Sequence, residues 1–354
     1  LRAALKKSNL DAFILPSNDP HQSEYVAGHW LAREWITGFS GSAGIAVVTA
    51  DEAGLWTDSR YFLQAETQLK GTPVQFHKQS PALPNGHLAW IKTQLNSGQK
   101  LGIDGNLFSQ AGLEKLTNYF EGSGIEIVYT ENPLPAAWPD RPALPSNPVF
   151  EHDTAFSGKS RADKLADIRK VMEEKQAENH LVVTLDDIAW IFNLRGSDVE
   201  SNPVFYAYAL IGMEKAQLFV GLDKISPAIK AALAADGVEV LPYTQIDAAV
   251  KSLKGGLLLD TNSVAIALQN QLSAEVQLKN DANPSTLMKA IKNEIELKHL
   301  RSCMEKDGKA LLKLMMWLEE KMKTQPPTEY EVAMKLAGFR ACLLYTSPSP
   351  RDLS

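Results

Sequence analysis

The side chains best able to ligate a metal or act as nucleophiles near neutral pH are few. They are seven histidines, at positions 21, 29, 77, 87, 152, 180 and 299, and two cysteines, Cys303 and Cys342. No two of these histidines stand one helical turn apart and no H-E-x-x-H occurs, so the paired helical ligands of a zinc peptidase are missing. A G-x-S-x-G nucleophile elbow, a Walker loop and a G-x-G-x-x-G fingerprint are missing too. His21 and His29 share one stretch with Asp19 and Glu24. By residue type that is a ligand cluster; by context it reads as a surface loop with ordinary polar groups. Asp186-Asp187 carries the same ambiguity, between a cation site and two acids that satisfy free N–H groups at a helix start. The apolar run that follows favours the helix start.

Two further stretches stand out. Phe39-Ser40-Gly41-Ser42-Ala43-Gly44 is glycine-rich but leads into a strand, so it lacks the helix N-terminus that holds a phosphate and reads as a tight turn. Asp58-Ser59 reads as a helix cap, which puts Arg60 in the first turn. A cation there opposes the helix dipole by a few tenths of a kcal/mol, up to about 1. Arg60 is therefore either incidental on a wet surface or used for a negative ligand.

The elements that must position these residues alternate strand and helix, the pattern of an α/β fold. Ala12–Leu15, Ile45–Thr49, Leu55–Thr57, Leu101–Ile103 and Ile125–Tyr129 are predicted strands; 61–69, 88–95 and 110–119 are predicted helices. From 132 to 148 six prolines predict a stiff, extended linker. The pattern then repeats: helix 160–176, strand 181–184, helix 186–192, a hairpin of 206–211 with 217–220, helix 228–235, and strands 238–241 and 257–260. In each half an aromatic helix (Trp35-Ile36 and Trp190-Ile191) ends in a Gly-Ser turn before a hairpin, which indicates a diverged duplication. Residues 288–322 form a nearly continuous helical pattern, broken by Pro326-Pro327, and Thr328 with Glu331 makes a capping box for a second helix.

At 354 residues the chain is long enough for two or three domains. Hydrophobic content of 44% and charged content of 22% describe a soluble globular protein. No apolar run approaches the eighteen or so residues needed to span a bilayer. A net charge of −6 with scattered basic residues argues against nucleic acid as the main partner. Two distant cysteines without a C-x-x-C pair fit a reducing compartment, the cytoplasm. The start has neither a signal-peptide core nor an initiator methionine, so export is not expected and a missing or trimmed N-terminus is.

Several blocks resemble one family. Asp19-Pro20-His21-Gln22-Ser23-Glu24-Tyr25, then Thr37 through Gly44, then Leu55 through Ala65 resemble the first domain of the Xaa-Pro aminopeptidases (aminopeptidase P). Leu185 through Phe205 resembles the second domain of the three-domain cytosolic form, and Lys292 through Glu319 the helix that opens the third. The resemblance implies two tandem creatinase-like N-terminal α/β domains, followed by the truncated helical start of a pita-bread catalytic domain. The expected divisions are domain I over 1–131, a Pro-rich linker over 132–148, domain II over 149–286, the start of the peptidase domain over 287–342, and a non-native tail over 343–354.

The resemblance also implies a function: a metalloaminopeptidase that removes the N-terminal residue from peptides with proline second. It implies a cytoplasmic homodimer at full length, with no nucleic-acid or membrane partner. Two divalent metal ions, manganese, would sit among aspartates, a histidine and glutamates of the third domain. None of those ligands or catalytic residues is expected in this chain, which should be inactive alone. One functional position carries over. The family's Asp-Gly-Arg-Tyr-Phe motif is here Asp58-Ser59-Arg60-Tyr61-Phe62, with serine for glycine, and it makes Arg60 a substrate-binding residue. The alternative is a non-catalytic binding or scaffold protein built from the same two domains, as in the family's histone-chaperone relatives.

Overall fold

The computed structural model describes residues 1–343; the expected non-native tail falls, apart from Leu343, outside the described residues. The first six strands are β1 Ala12–Leu15, β2 Ile45–Thr49, β3 Ala53–Thr57, β4 Gln75–Lys78, β5 Lys100–Ile103 and β6 Glu126–Val128. They form one sheet in the order β4-β3-β2-β1-β5-β6. β2 is antiparallel to both β1 and β3, while β3 with β4, β1 with β5 and β5 with β6 are parallel. The carboxyl ends of β1, β3, β4 and β5 therefore share one edge. Helices cover both faces, so β1 is buried along its whole length: Phe13 and Leu15 face one cluster, Ala12 and Ile14 the other.

The next six strands repeat this plan. They are β7 Asn179–Val182, β8 Ala207–Gly212, β9 Ala216–Val220, β10 Val238–Pro242, β11 Gly255–Leu259 and β12 Val276–Asn280, in the order β10-β9-β8-β7-β11-β12. Strand for strand, order and direction match the first sheet. The duplication read from the two Gly-Ser turns is thus a duplication of topology. β4 and β12 escape the sequence reading because edge strands carry polar residues; Gln75, Lys78, Gln277 and Leu278 are exposed.

Two departures from the expected elements have physical causes. The proline-rich stretch is not extended from its start. Leu134–Ala137 is a helical turn entered through Pro133, with the Asn132 side chain accepting from Leu134 N–H at 3.0 Å. Leu134 and Trp138 are buried in the first domain, where Trp138 stacks on Trp35 with ring centroids 4.9 Å apart. Residues 141–149 then form neither helix nor strand. The long helical pattern is also split. One helix spans Pro284–Ala290 and the next Glu294–Met322, because Asn293 and Glu296 close a reciprocal capping box between them. Thr328 and Glu331 make the expected second box, and helix Glu329–Ala341 returns along the long helix, joined to it by Arg340 and Asp307 at 2.8 Å.

Candidate functional site

Arg60 stands at the carboxyl edge of the first sheet, just beyond β3. Asp58 ends the strand, and its side chain accepts from Arg60 N–H at 3.1 Å, which starts a short 3-10 turn, Ser59–Tyr61, ahead of helix Phe62–Gln68. The same carboxylate takes the guanidinium in a fork, Nε to Oδ1 at 2.9 Å and Nη2 to Oδ2 at 2.8 Å. The Arg60 bond holds Asp58 below the usual carboxylate range, and Asp58 raises Arg60 in turn. This corrects the dipole argument. The charge that should oppose the helix start is neutralised on the spot by the capping acid, so its placement needs no ligand to explain it. What the pair leaves for a ligand is accessibility: the Arg60 side chain is 65% exposed over a cavity of about 700 Å³ that also meets Thr57, Gln79 and Gly44.

The glycine turn that leads into that cavity at Ala43 and Gly44 is held by a buried arginine with no motif around it. Arg33, 3% exposed, donates from Nη1 to the Phe39 carbonyl at 3.0 Å, from Nη2 to the Gly41 carbonyl at 2.5 Å, and from Nε to the Ser17 hydroxyl at 2.8 Å. It thereby sets the shape of the Phe39–Gly44 turn. Thr57 Oγ1 donates to the Ala43 carbonyl at 2.6 Å, and the Ser42 and Tyr61 hydroxyls lie 2.6 Å apart. The Arg60 guanidinium rests 5.1 Å from the centroid of the Tyr61 ring. Arg33, the glycine turn, Tyr61 and Arg60 form one connected unit. Nothing in Ala32-Arg33-Glu34-Trp35 marks the arginine as buried.

The other candidate residues are not brought together as a metal site. The expected surface loop is instead a plug between the domains. Asp19 and His21 are 0% and 1% exposed. Asp19 Oδ1 accepts from the His21 and Ser23 N–H groups at 2.9 and 3.0 Å, while Oδ2 accepts from the Tyr206 hydroxyl at 2.8 Å. His21 Nδ1 lies 2.6 Å from the Val183 carbonyl, which can only accept, so Nδ1 carries the proton. Nε2 then takes the Tyr243 hydroxyl hydrogen at 2.8 Å. Val183, Tyr206 and Tyr243 all belong to the second half. His29 sits apart, with Nδ1 2.6 Å from the Pro142 carbonyl. Burial lowers the pKa of both histidines. Asp186 and Asp187 lie in the first turn of helix Leu185–Ile191, where the helix-start reading puts them, but both carboxylates pair with Lys289, and Asp187 also accepts from the Thr184 hydroxyl at 2.6 Å, rather than from helix N–H groups. Among the described residues, no three His, Cys, Asp or Glu side chains converge to hold a metal.

Comparison with known proteins accords with this architecture. Residues 1–135 and 140–296 each match a family model described as the creatinase/prolidase N-terminal domain. Probable Xaa-Pro aminopeptidase P of Talaromyces marneffei is 39% identical over 96% of this chain and 54% of that protein. Its counterpart in Sordaria macrospora is 39% identical over 96% of this chain and 58% of that protein. The chain thus spans about half the length of the curated relatives it matches. The crystal structure of X-prolyl aminopeptidase from Caenorhabditis elegans, described as a cytosolic enzyme with a di-nuclear active site, superposes with a TM-score of 0.83 at 28% identity. That match covers 94% of this chain and 55% of the worm protein. With the family's domain present twice, in sheets of one topology, the chain belongs to the creatinase/prolidase N-terminal family in the tandem form of the Xaa-Pro aminopeptidases.

Proposed function

We propose that this chain is the amino-terminal part of a Xaa-Pro aminopeptidase, a hydrolase that releases the first residue of peptides with proline second. The observation that carries the reading is the likeness to these relatives, which covers 96% of the chain, through both sheets and into the helices beyond Asn293. The complete protein would be a cytoplasmic homodimer using two divalent ions, manganese in our reading. Bound ions of that kind activate a water for attack on a peptide carbonyl. The described residues do not fit that centre, since their acids and histidines stay dispersed or paired with lysines. Its donors are therefore assigned to the remainder of the relatives' length, and the chain alone is expected to be inactive. Arg60 would serve as a substrate-binding residue, offering charge-assisted hydrogen bonds to a peptide carbonyl or terminal carboxylate from the first domain's rim.

The test compares this chain with the protein encoded by the uninterrupted gene. The longer protein, loaded with manganese, should release the first residue from Xaa-Pro peptides. The chain should release none, and should show no pair of tight manganese sites by calorimetry. A frame that stops soon after codon 342, or a full-length product that cleaves no such peptide, would leave the non-catalytic alternative standing.

A further inference from the structure

The Asp58–Arg60 pair bears on which kind of oxygen the cavity at Arg60 can take. A guanidinium carries five N–H donors, and Asp58 occupies two of them, on Nε and Nη2, with its two carboxylate oxygens. The donors left over are those of Nη1 and the second hydrogen of Nη2, so geometry alone admits a carbonyl or a carboxylate. Charge separates the two. Asp58 is held in place, because its Oδ1 also accepts from the Arg60 N–H at 3.1 Å and so caps the turn that carries Arg60. The Arg60 bond keeps it ionised as well, by holding its pKa below the usual carboxylate range. A second carboxylate would therefore share one guanidinium with a fixed anion.

Two neighbouring features push the same way. Ile45, Phe62, Pro81 and Pro84 line the cavity, and an apolar wall takes water from a bound anion without replacing its hydrogen bonds. A second cation, Lys78, lies 5.1 Å from the centroid of the Phe62 ring and is paired with Glu66 at 3.0 Å. Both cations thus have their own acid, while the apolar wall suits a side chain that flanks a peptide carbonyl.

We propose that Asp58 is a specificity-determining residue: it matches the Arg60 charge, so that Arg60 reads a main-chain carbonyl of a peptide that continues past it and not a terminal carboxylate. The inference rests on the substrate role given to Arg60 above and narrows it. A carbonyl accepts from the remaining N–H groups with no net charge to set against Asp58, whereas two anions on one cation repel each other at close range.

The test uses the full-length, manganese-loaded protein and Xaa-Pro tri- to hexapeptides, each as the free acid and as the amide. Arg60→Ala should lower kcat/KM for acid and amide alike, at every length where it lowers either. Asp58→Asn keeps the cap, since asparagine caps as well as aspartate, but leaves the guanidinium charge unmatched. It should raise the acid-to-amide ratio of kcat/KM about fivefold, through KM. Adding Arg60→Ala to it should return the ratio to that of the unaltered protein. A loss confined to the acids in Arg60→Ala, or an unchanged ratio in Asp58→Asn, would overturn the inference while Xaa-Pro cleavage still stands. Normal kinetics of Arg60→Ala on every peptide would overturn it together with the substrate role. A protein that cleaves none of the peptides would strike the proposed function, and this inference with it.

Discussion

Arg60 shows how a residue can be flagged for a reason that the structure removes, which leaves its proposed substrate role to rest on the motif and on exposure. Its fork is occupied by Asp58, so a peptide must either use Nη1 or displace an exposed, water-screened pair of the kind worth little by itself. A charge-assisted bond to substrate is worth roughly 1.5–3 kcal/mol. In the full-length protein, on the proposed function, Arg60→Ala should thus lower kcat/KM about tenfold to a hundredfold, mainly through KM, with lysine rescuing only part. The melting temperature should barely move. If the variant instead unfolds the first domain while the surviving enzyme keeps normal kinetics, the substrate role is wrong. Arg33 should behave in the opposite way. Arg33→Met strips donors from two carbonyls and a hydroxyl, and should destabilise the chain by on the order of 3 kcal/mol in urea unfolding. Arg60 was legible because a motif surrounds it; Arg33 was not, because its partners are backbone atoms of a loop whose path no sequence pattern states.

At the scale of elements, the sequence was most informative where local chemistry decides the outcome. The Thr328 box, the hairpins and the central strands β1, β2 and β8 are set by capping and by continuous apolar runs, and all are legible. The edge strands β4 and β12 and the break before Glu294 were not, whereas the other two edges, β6 and β10, were read. Edge strands are half wet, and apolar spacing carries across an asparagine that in fact caps. That asparagine also ties elements together. Asn293 Nδ2 donates to the Ser157 carbonyl at 2.8 Å, docking the long helix on helix Thr154–Ser157. Gly158 ends that short helix at φ 67°, and a Cβ there would lie 2.3 Å from Asn293 Oδ1. Asn293→Ala should therefore cost more than the ~1 kcal/mol of an ordinary cap, with added amide exchange in both 154–157 and 294–298. Gly158→Ala should be destabilising through both the left-handed backbone and the collision. Exchange confined to the first turn of the long helix would show that the docking bond contributes nothing.

At the scale of the whole molecule, the duplicated sheets are joined by groups that a single-domain reading cannot interpret. The Asp19–His21 stretch looked like a surface loop because its polar residues find their partners about 160 to 220 positions away, on Val183, Tyr206 and Tyr243. The join has a consequence for pH. Burial depresses His21 below its ordinary value of 6.5, against the opposing pull of Asp19 and the Val183 bond. His87 and His180 are pushed down to about 4 by the same cause. The unfolded chain thus takes up these protons first, so stability is full above pH 6.5 and falls as the pH drops toward the folded values, by up to about 1.4 kcal/mol per pH unit for each histidine. Protonation of His21 also puts a hydrogen on Nε2, facing a Tyr243 hydroxyl that had been its donor. Acid should therefore loosen the contact between the two sheets in particular. Urea unfolding at pH 7, 6 and 5 should show this decline, and His21→Gln should start lower at pH 7 but decline less steeply, by about one histidine's share. Equal slopes for the two proteins would mean that His21 is protonated alike in the folded and unfolded chain, and that the domain junction does not sense pH.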